Sequence, residues 1–320
     1  MNSTDILKLR SDMHTLKTVN MVGIDWGTTH RRAYALDADG VCVATFTDSD
    51  GAMACQGRFA ASLQTALQRL QVVPRRVVLS GMVGSAFGWH EVPYLSDAEA
   101  LDALPHQLFT VNDAPHGVPC AIVPGYCMRD AWGQPDVMRG EETQLLGAVA
   151  LGHHSGWFVL PGTHSKWVEL DCGRILQLRT YMTGELFNLL GQHGTLAAAI
   201  ARAPAVWDAI AFAEGVRSAG HGALSNQLFT CRARVVCGEM PAASSKAYLS
   251  GLLIGTELVD VLRSPTGSQG ERAVQLIGSP ELAQHYHAAA AQLGLTIELL
   301  DAEAAFLAAM ARIQSITQHL

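Results

Sequence analysis

Residues 22–40 read VGIDWGTTHRRAYALDADG, and residues 157–180 read WFVLPGTHSKWVELDCGRILQLRT. Both follow one plan: an apolar strand, a Gly-Thr turn, a returning strand, a turn of Asp and Gly, and a third strand. The identity is too weak for a sequence repeat, yet the shared plan predicts two similarly built halves. Length agrees, because single cores seldom grow past about 250 to 300 residues and this chain has 320.

The first turn carries more chemistry than a reversal needs. Asp25 ends an apolar run and is followed by Gly27, Thr28 and Thr29. Glycine permits close backbone approach, and the two threonines add hydroxyls beside exposed N–H groups. Such a concavity suits a phosphate, with Asp25 placed to hold its cation. Alone, the stretch reads equally well as a polar hairpin with a turn acid. The second Gly-Thr turn, about 135 residues on, favours the phosphate reading.

Composition narrows the class. The chain is 49% hydrophobic and 16% charged with 30 glycines, as expected of a compact α/β protein. A formal charge of −7 and the lack of a basic run argue against nucleic acid. Seven cysteines form no CxxC pair and thirteen histidines form no HExxH, so neither a zinc site nor a disulfide framework is expected. A reducing cytoplasm fits. MNSTDILKLRSDMHTLKTVN lacks the apolar core of a signal peptide and reads as a loosely ordered extension over 1–20. No apolar run reaches membrane-spanning length.

Phe59, Leu63, Leu67 and Leu70 recur at helical spacing, and Pro74 is expected to stop that helix before the strand RRVVLSG. A helix is predicted from Glu141 to Gly152, and mostly helix between Gly184 and Arg263. Strand AVQLIG, a helix from Pro280, strand LTIELL and a helix capped by Asp301 close the chain. The expected domains are 21–152 and 153–320.

There is no GxxxxGK[ST] and no strand-linked GxGxxG, which excludes a P-loop and weakens a dinucleotide site. Two Gly-Thr turns facing each other suit adjacent phosphates of one nucleotide. The arrangement resembles the actin, Hsp70 and carbohydrate-kinase superfamily. Five segments in order, GIDWGTT, SGMVGSAFGWHEVPY, DVMRGEETQLLG, LPGTHSKW and YMTGELFNLL, are most similar to the 2-dehydro-3-deoxygalactonokinases.

The resemblance implies a two-domain actin-like ATPase (ribonuclease H-like) fold with the nucleotide in a cleft between domains. It also implies ATP-dependent phosphorylation of the 6-hydroxyl of 2-dehydro-3-deoxy-D-galactonate, a step of galactonate breakdown. In it, Asp25 positions Mg2+, while Thr28, Thr29 and Arg32 contact phosphates and Arg31 faces solvent. Gly162, Thr163 and Ser165 form the second phosphate motif, with Lys166 either a cationic clamp or a hairpin charge. Gly278 and Ser279 match the adenosine motif, and the helices from Glu141 and Asp301 are the connecting helices. Related kinases place a carboxylate at the start of the first connecting helix, which falls on Glu141 as base. They usually carry aspartate there, so Glu141 is a departure. Glu142 lies about 100° further around the helix and reads as a surface or capping residue, and Asp136 is the weaker alternative.

For the sugar, Gly84, Ser85, Trp89, Glu91 and Tyr94 are expected on one wall and Thr183, Gly184 and Glu185 opposite. The aromatic residues also suit ordinary domain packing. Arg129 or Arg179 is expected to meet the substrate carboxylate. Competing readings are a kinase of the same fold acting on another sugar or amino sugar, and a non-enzymatic sugar sensor. The first lacks its usual cysteine-rich zinc site, and the second lacks room for a helix-turn-helix before the first strand. The apolar helical region would suit a homodimer.

Overall fold

The computed structural model describes residues 17–96, 99–200, 204, 207–263 and 273–317. The chain divides into two units, one of residues 1–127, 138–152 and 305–320, the other of 128–137 and 153–304.

The first unit and its exits contain β1 (Lys17–Trp26), β2 (Arg31–Leu36), β3 (Cys42–Asp48), β4 (Val72–Gly81), β5 (Leu95–Ser96), β6 (Phe109–Val111), β7 (Cys120–Ile122), β8 (Tyr126–Arg129) and β9 (Pro135–Met138). Its main sheet has the order β3-β2-β1-β4-β7-β6. The first three strands meander antiparallel, and β4 and β7 add in parallel beyond β1. Val19, Met21, Val22, Ile24 and Trp26 are all buried, as a central strand covered on both faces requires. One cover is α1 (Phe59–Leu70), which buries Phe59, Leu63, Ala66, Leu67 and Leu70. A second helix, α2 (Glu141–Ala150), follows β9.

The second unit repeats the plan with β10 (Gly156–Leu160), β11 (Ser165–Asp171), β12 (Arg174–Tyr181), β13 (Val274–Gly278) and β14 (Ile297–Asp301), in the order β12-β11-β10-β13-β14. Again three strands meander and the later ones add in parallel beyond the first. This topology, used twice, is the actin-like ATPase, ribonuclease H-like fold. The helices are α3 (Thr183–Gln192), α4 (Gly194–Ile200), α5 (Ala209–Ser218), α6 (Leu224–Val236), α7 (Ser245–Leu262) and α8 (Pro280–Gln292), with α9 (Ala302–Thr317) closing the chain. Helices α5 and α7 cross at glycines: a Cβ on Gly251 would lie 2.0 Å from Phe212 O, and one on Gly215 2.1 Å from Tyr248 O.

Three expectations need correction. Strand β1 starts at Lys17, because Lys17 to Val19 already pair with Val72 to Pro74 of β4; residues 1–16 of the expected extension lie outside the described residues. Pro74 sits inside β4 rather than before it. It is tolerated because β7 reaches β4 only from Val77 onward. The chain from Ala305 belongs to the first unit, not to a 153–320 domain. Its apolar stripe Ala305, Phe306, Ala309, Met310 and Ile313 is buried there. Gly23 leaves room for Met310, whose Cγ would be 2.6 Å from a Cβ, and a Cβ on Gly147 would meet Ala305 O.

Candidate active site

In the first unit, Asp25 lies at the carboxyl end of β1, beside Arg32 of β2 and Ser80 of β4. Its Oδ2 is 3.5 Å from Arg32 Nη1, with the Asp25 side chain 27% exposed and that of Arg32 54%. Desolvation raises the Asp25 pKa above the ordinary carboxylate value, and Arg32 pulls it back. The turn after Trp26 leaves Thr28 and Thr29 exposed. It is held from behind, where Ala52 and Met53 N–H groups donate to Gly27 O (2.9 Å) and Thr28 O (3.2 Å). Thr29 Oγ1 meets His30 Nδ1 at 2.9 Å.

Arg31 does not face solvent. It is fully buried, pairs with Asp48 (2.5 Å), donates to Ser62 O (2.9 Å) and lies over Trp26. It is a strut beneath the turn, and Arg32 is the accessible cation.

The start of α2 packs against this corner. Gly81 and Gly140 have φ of 93° and 111°, values that favour glycine. A Cβ on Gly140 would lie 3.2 Å from Gly81 Cα, and one on Gly81 would lie 2.8 Å from Trp26 O and 3.7 Å from Asp25 Oδ1. Ser80 Oγ and Thr143 Oγ1 bond at 2.7 Å inside the same corner.

The two glutamates differ sharply. Glu141 is half-buried, and its Oε2 accepts from Arg139 N at 3.0 Å. Glu142 is fully buried rather than superficial: Oε2 accepts from Gly140 N (2.7 Å) and Oε1 from Thr143 Oγ1 (3.3 Å). Burial, with Glu141 beside it, pushes its pKa up to about 8 against the pull of backbone N–H groups and Arg139.

The expected sugar wall is split. Trp89 stacks at 6.3 Å on Phe59 and donates to Asp113 Oδ2 at 3.0 Å, so its ring serves packing. Ser85 is buried and donates to Met82 O at 2.7 Å. Glu91 is exposed. Gly84 and Tyr94 border the head of Arg139, which lies 4.2 Å from the Tyr94 ring centroid.

In the second unit, Gly162, Thr163 and His164 are exposed between β10 and β11. The start of α3 is seated on them. Glu185 N donates to Thr163 O (2.9 Å), His164 Nε2 meets Glu185 Oε2 (2.6 Å), and a Cβ on Gly184 would lie 2.3 Å from Gly162 O. Gly184 and Glu185, expected to face the sugar across from the Gly84–Tyr94 wall, are thus packed on the Gly162–His164 turn. Gly278 also borders it, because a Cβ there would be 3.4 Å from Pro161 Cδ. Ser279 is exposed and caps α8, accepting from Leu282 N at 3.3 Å.

Ser165 is not available to a phosphate. It is buried and donates to Glu257 Oε2 at 2.8 Å. Trp167 Nε1 (2.7 Å), Tyr286 OH (2.9 Å) and Thr183 also donate to that carboxylate. Burial raises the Glu257 pKa, and these donors pull it down. Lys166 is neither clamp nor free hairpin charge, because Nζ donates to Val137 O (2.6 Å) and Thr180 Oγ1 (2.9 Å). Asp136 accepts from Thr180 N (2.8 Å) and Oγ1 (2.5 Å), which removes it as a base. Arg129 donates to Gly133 O (2.8 Å), and Arg179 pairs with Asp260 (3.4 Å) and bonds Gln177 (3.2 Å), so neither is poised for a substrate.

Sequence reasoning overlooked Arg139, although it immediately precedes the Gly140-Glu141-Glu142 run. It also overlooked the hydroxyl pair Ser80–Thr143. The only signal for Arg139 was a cation next to the presumed base.

Comparison with known proteins follows the same lines. The profile of the 2-keto-3-deoxy-galactonokinase family matches residues 25–313. The chain is 35% identical over 300 residues to the 2-dehydro-3-deoxygalactonokinase of Escherichia coli K12, covering 92% of this chain and 98% of that protein. It is 36% identical over 288 residues to a Rhizobium meliloti protein described as the 2-dehydro-3-deoxygalactonokinase DgoK1, covering 88% and 92%. A crystal structure described as that of a 2-dehydro-3-deoxygalactonokinase protein from Sinorhizobium meliloti superposes with a TM-score of 0.84 at 34% identity, over 93% of this chain and 99% of that one. The chain belongs to the 2-keto-3-deoxy-galactonokinase family.

Proposed function

We propose that the protein transfers the terminal phosphoryl group of ATP to the 6-hydroxyl of 2-dehydro-3-deoxy-D-galactonate, with Glu141 as the base. The observation that carries this is the corner where Gly140, which starts the helix bearing the half-buried Glu141, rests on Gly81 beside Asp25, an acid suited to a cation. Glu142 is too deeply committed to reach a hydroxyl. A primary hydroxyl is a poor nucleophile at neutral pH, and Glu141 accepts its proton as the new bond to phosphorus forms.

The exposed turns at Thr28–Thr29 and Gly162–Thr163 offer hydroxyls and backbone N–H groups to phosphates, and Arg32 adds a cation. Gly278 and Ser279 border the adenosine. Asp25 would hold Mg2+, its side chain 27% exposed at the end of β1 beside Arg32. Magnesium commonly uses one or two carboxylates with water and phosphate oxygens, so a single acid suffices. No cluster of three His, Cys, Asp or Glu residues capable of binding a metal occurs among the described residues. When bound, the ion neutralises phosphate charge. No helix among the described residues is long and apolar enough to cross a membrane; an ATP-dependent step on a sugar acid belongs in the cytoplasm.

Steady-state rates of Glu141→Gln and Glu142→Gln test the assignment. Glu141→Gln is expected to lose about 10²- to 10⁴-fold in turnover with little change in KM. Glu142→Gln should retain most of it. The reverse pattern, or two healthy enzymes, would contradict Glu141 as base.

A further inference from the structure

Arg139 is 8% exposed, and its buried Nε and Nη1 have no hydrogen-bond partner. Only Nη2 is engaged, donating to Val92 O at 2.6 Å. The Tyr94 ring covers the guanidinium, and Gly84 approaches so closely that a Cβ would lie 2.9 Å from Nη1. No ion pair to Arg139 occurs among the described residues. A buried donor left without a partner is costly, and more so when it is charged. A stem placed only for packing would not need such a head. The arrangement suits an anion that arrives from outside.

We propose that Arg139 recognises the carboxylate of the sugar acid through its unpartnered Nε and Nη1 N–H groups, with Tyr94, which lies against the guanidinium, the side chain that gives way as the substrate enters. This rests on the reading that the hydroxyl end of the substrate lies at Glu141. Tyr94 is 43% exposed, so its ring has solvent to move into. A guanidinium also outperforms an ammonium here, because planar donors match a carboxylate.

The test compares kcat/KM for the sugar acid with that for its uncharged methyl ester. Hydrogen bonds to charged groups are worth about 1.5–3 kcal/mol, so the native enzyme should prefer the acid by about 10- to 100-fold. Arg139→Gln should bring that ratio close to one through KM for the acid, with KM for ATP within about twofold of native. Arg139→Lys keeps the charge and should retain part of the preference; it also serves if Arg139→Gln does not fold. An unchanged ratio in the variants, or equal losses for acid and ester, would overturn the proposal and leave Arg139 a packing residue. Glu141→Gln is expected to lower kcat without moving the ratio. A fully active Glu141→Gln enzyme would remove the base assignment while the ratio still reported on Arg139.

Discussion

At Glu142 a proton is bound more tightly in the folded chain than in the unfolded one. Burial lifts its pKa from 4.5 to about 8, so stability falls as pH rises between those values and levels off above them. Glu142→Gln keeps an acceptor for Gly140 N and gains a donor toward Thr143. Its melting temperature should therefore lose that part of the pH dependence; an identical slope in native and variant proteins would contradict the burial argument. Arg31 is likewise held inside the fold. Removing one partner of a buried pair costs about 3–5 kcal/mol. Arg31→Met should approach the lower end in urea unfolding, because the Asp48 side chain is still 24% exposed. For Asp25→Asn, turnover at saturating magnesium should collapse while calorimetric affinity for the sugar acid changes little. Near-normal turnover would remove the metal role.

Among the elements, α3 and the turn it supports form the most sensitive joint. Gly184→Ala drives a methyl into Gly162 O, so the helix or the turn must shift. A cost of about 1–3 kcal/mol is expected from overpacking. KM for ATP should rise more than KM for the sugar acid, which steady-state kinetics and thermal melts together would show. The element ends were well signposted in sequence: Asp301 accepts from Ala304 N at 2.8 Å and Ser279 caps the helix that Pro280 begins. Which side chain faces the site was not. Strand β2 is buried on both faces beyond Arg32, so alternation could not tell Arg31 from Arg32. Ser165 and Lys166 failed for the same reason, since every residue of β11 before Asp171 is buried. Their partners, Glu257 and Thr180, are distant in sequence and gave no local sign.

For the whole molecule, the twice-used strand plan was legible because the Gly-Thr and Asp-Gly turns punctuate both meanders. The return of the last helix to the first unit was not, because its apolar stripe would fit either sheet. The proposed site rests on local features: an acid at a strand end, a glutamate after a tight glycine, and an exposed Gly-Thr turn. Those features predict one reaction. Incubation with ATP, magnesium and 2-dehydro-3-deoxy-D-galactonate, followed by phosphorus NMR and mass spectrometry, tests it directly. The account predicts ADP and a single phosphomonoester on the primary 6-hydroxyl in equal amounts. ADP formation only with a neutral sugar or amino sugar, or phosphate on another hydroxyl, would contradict it.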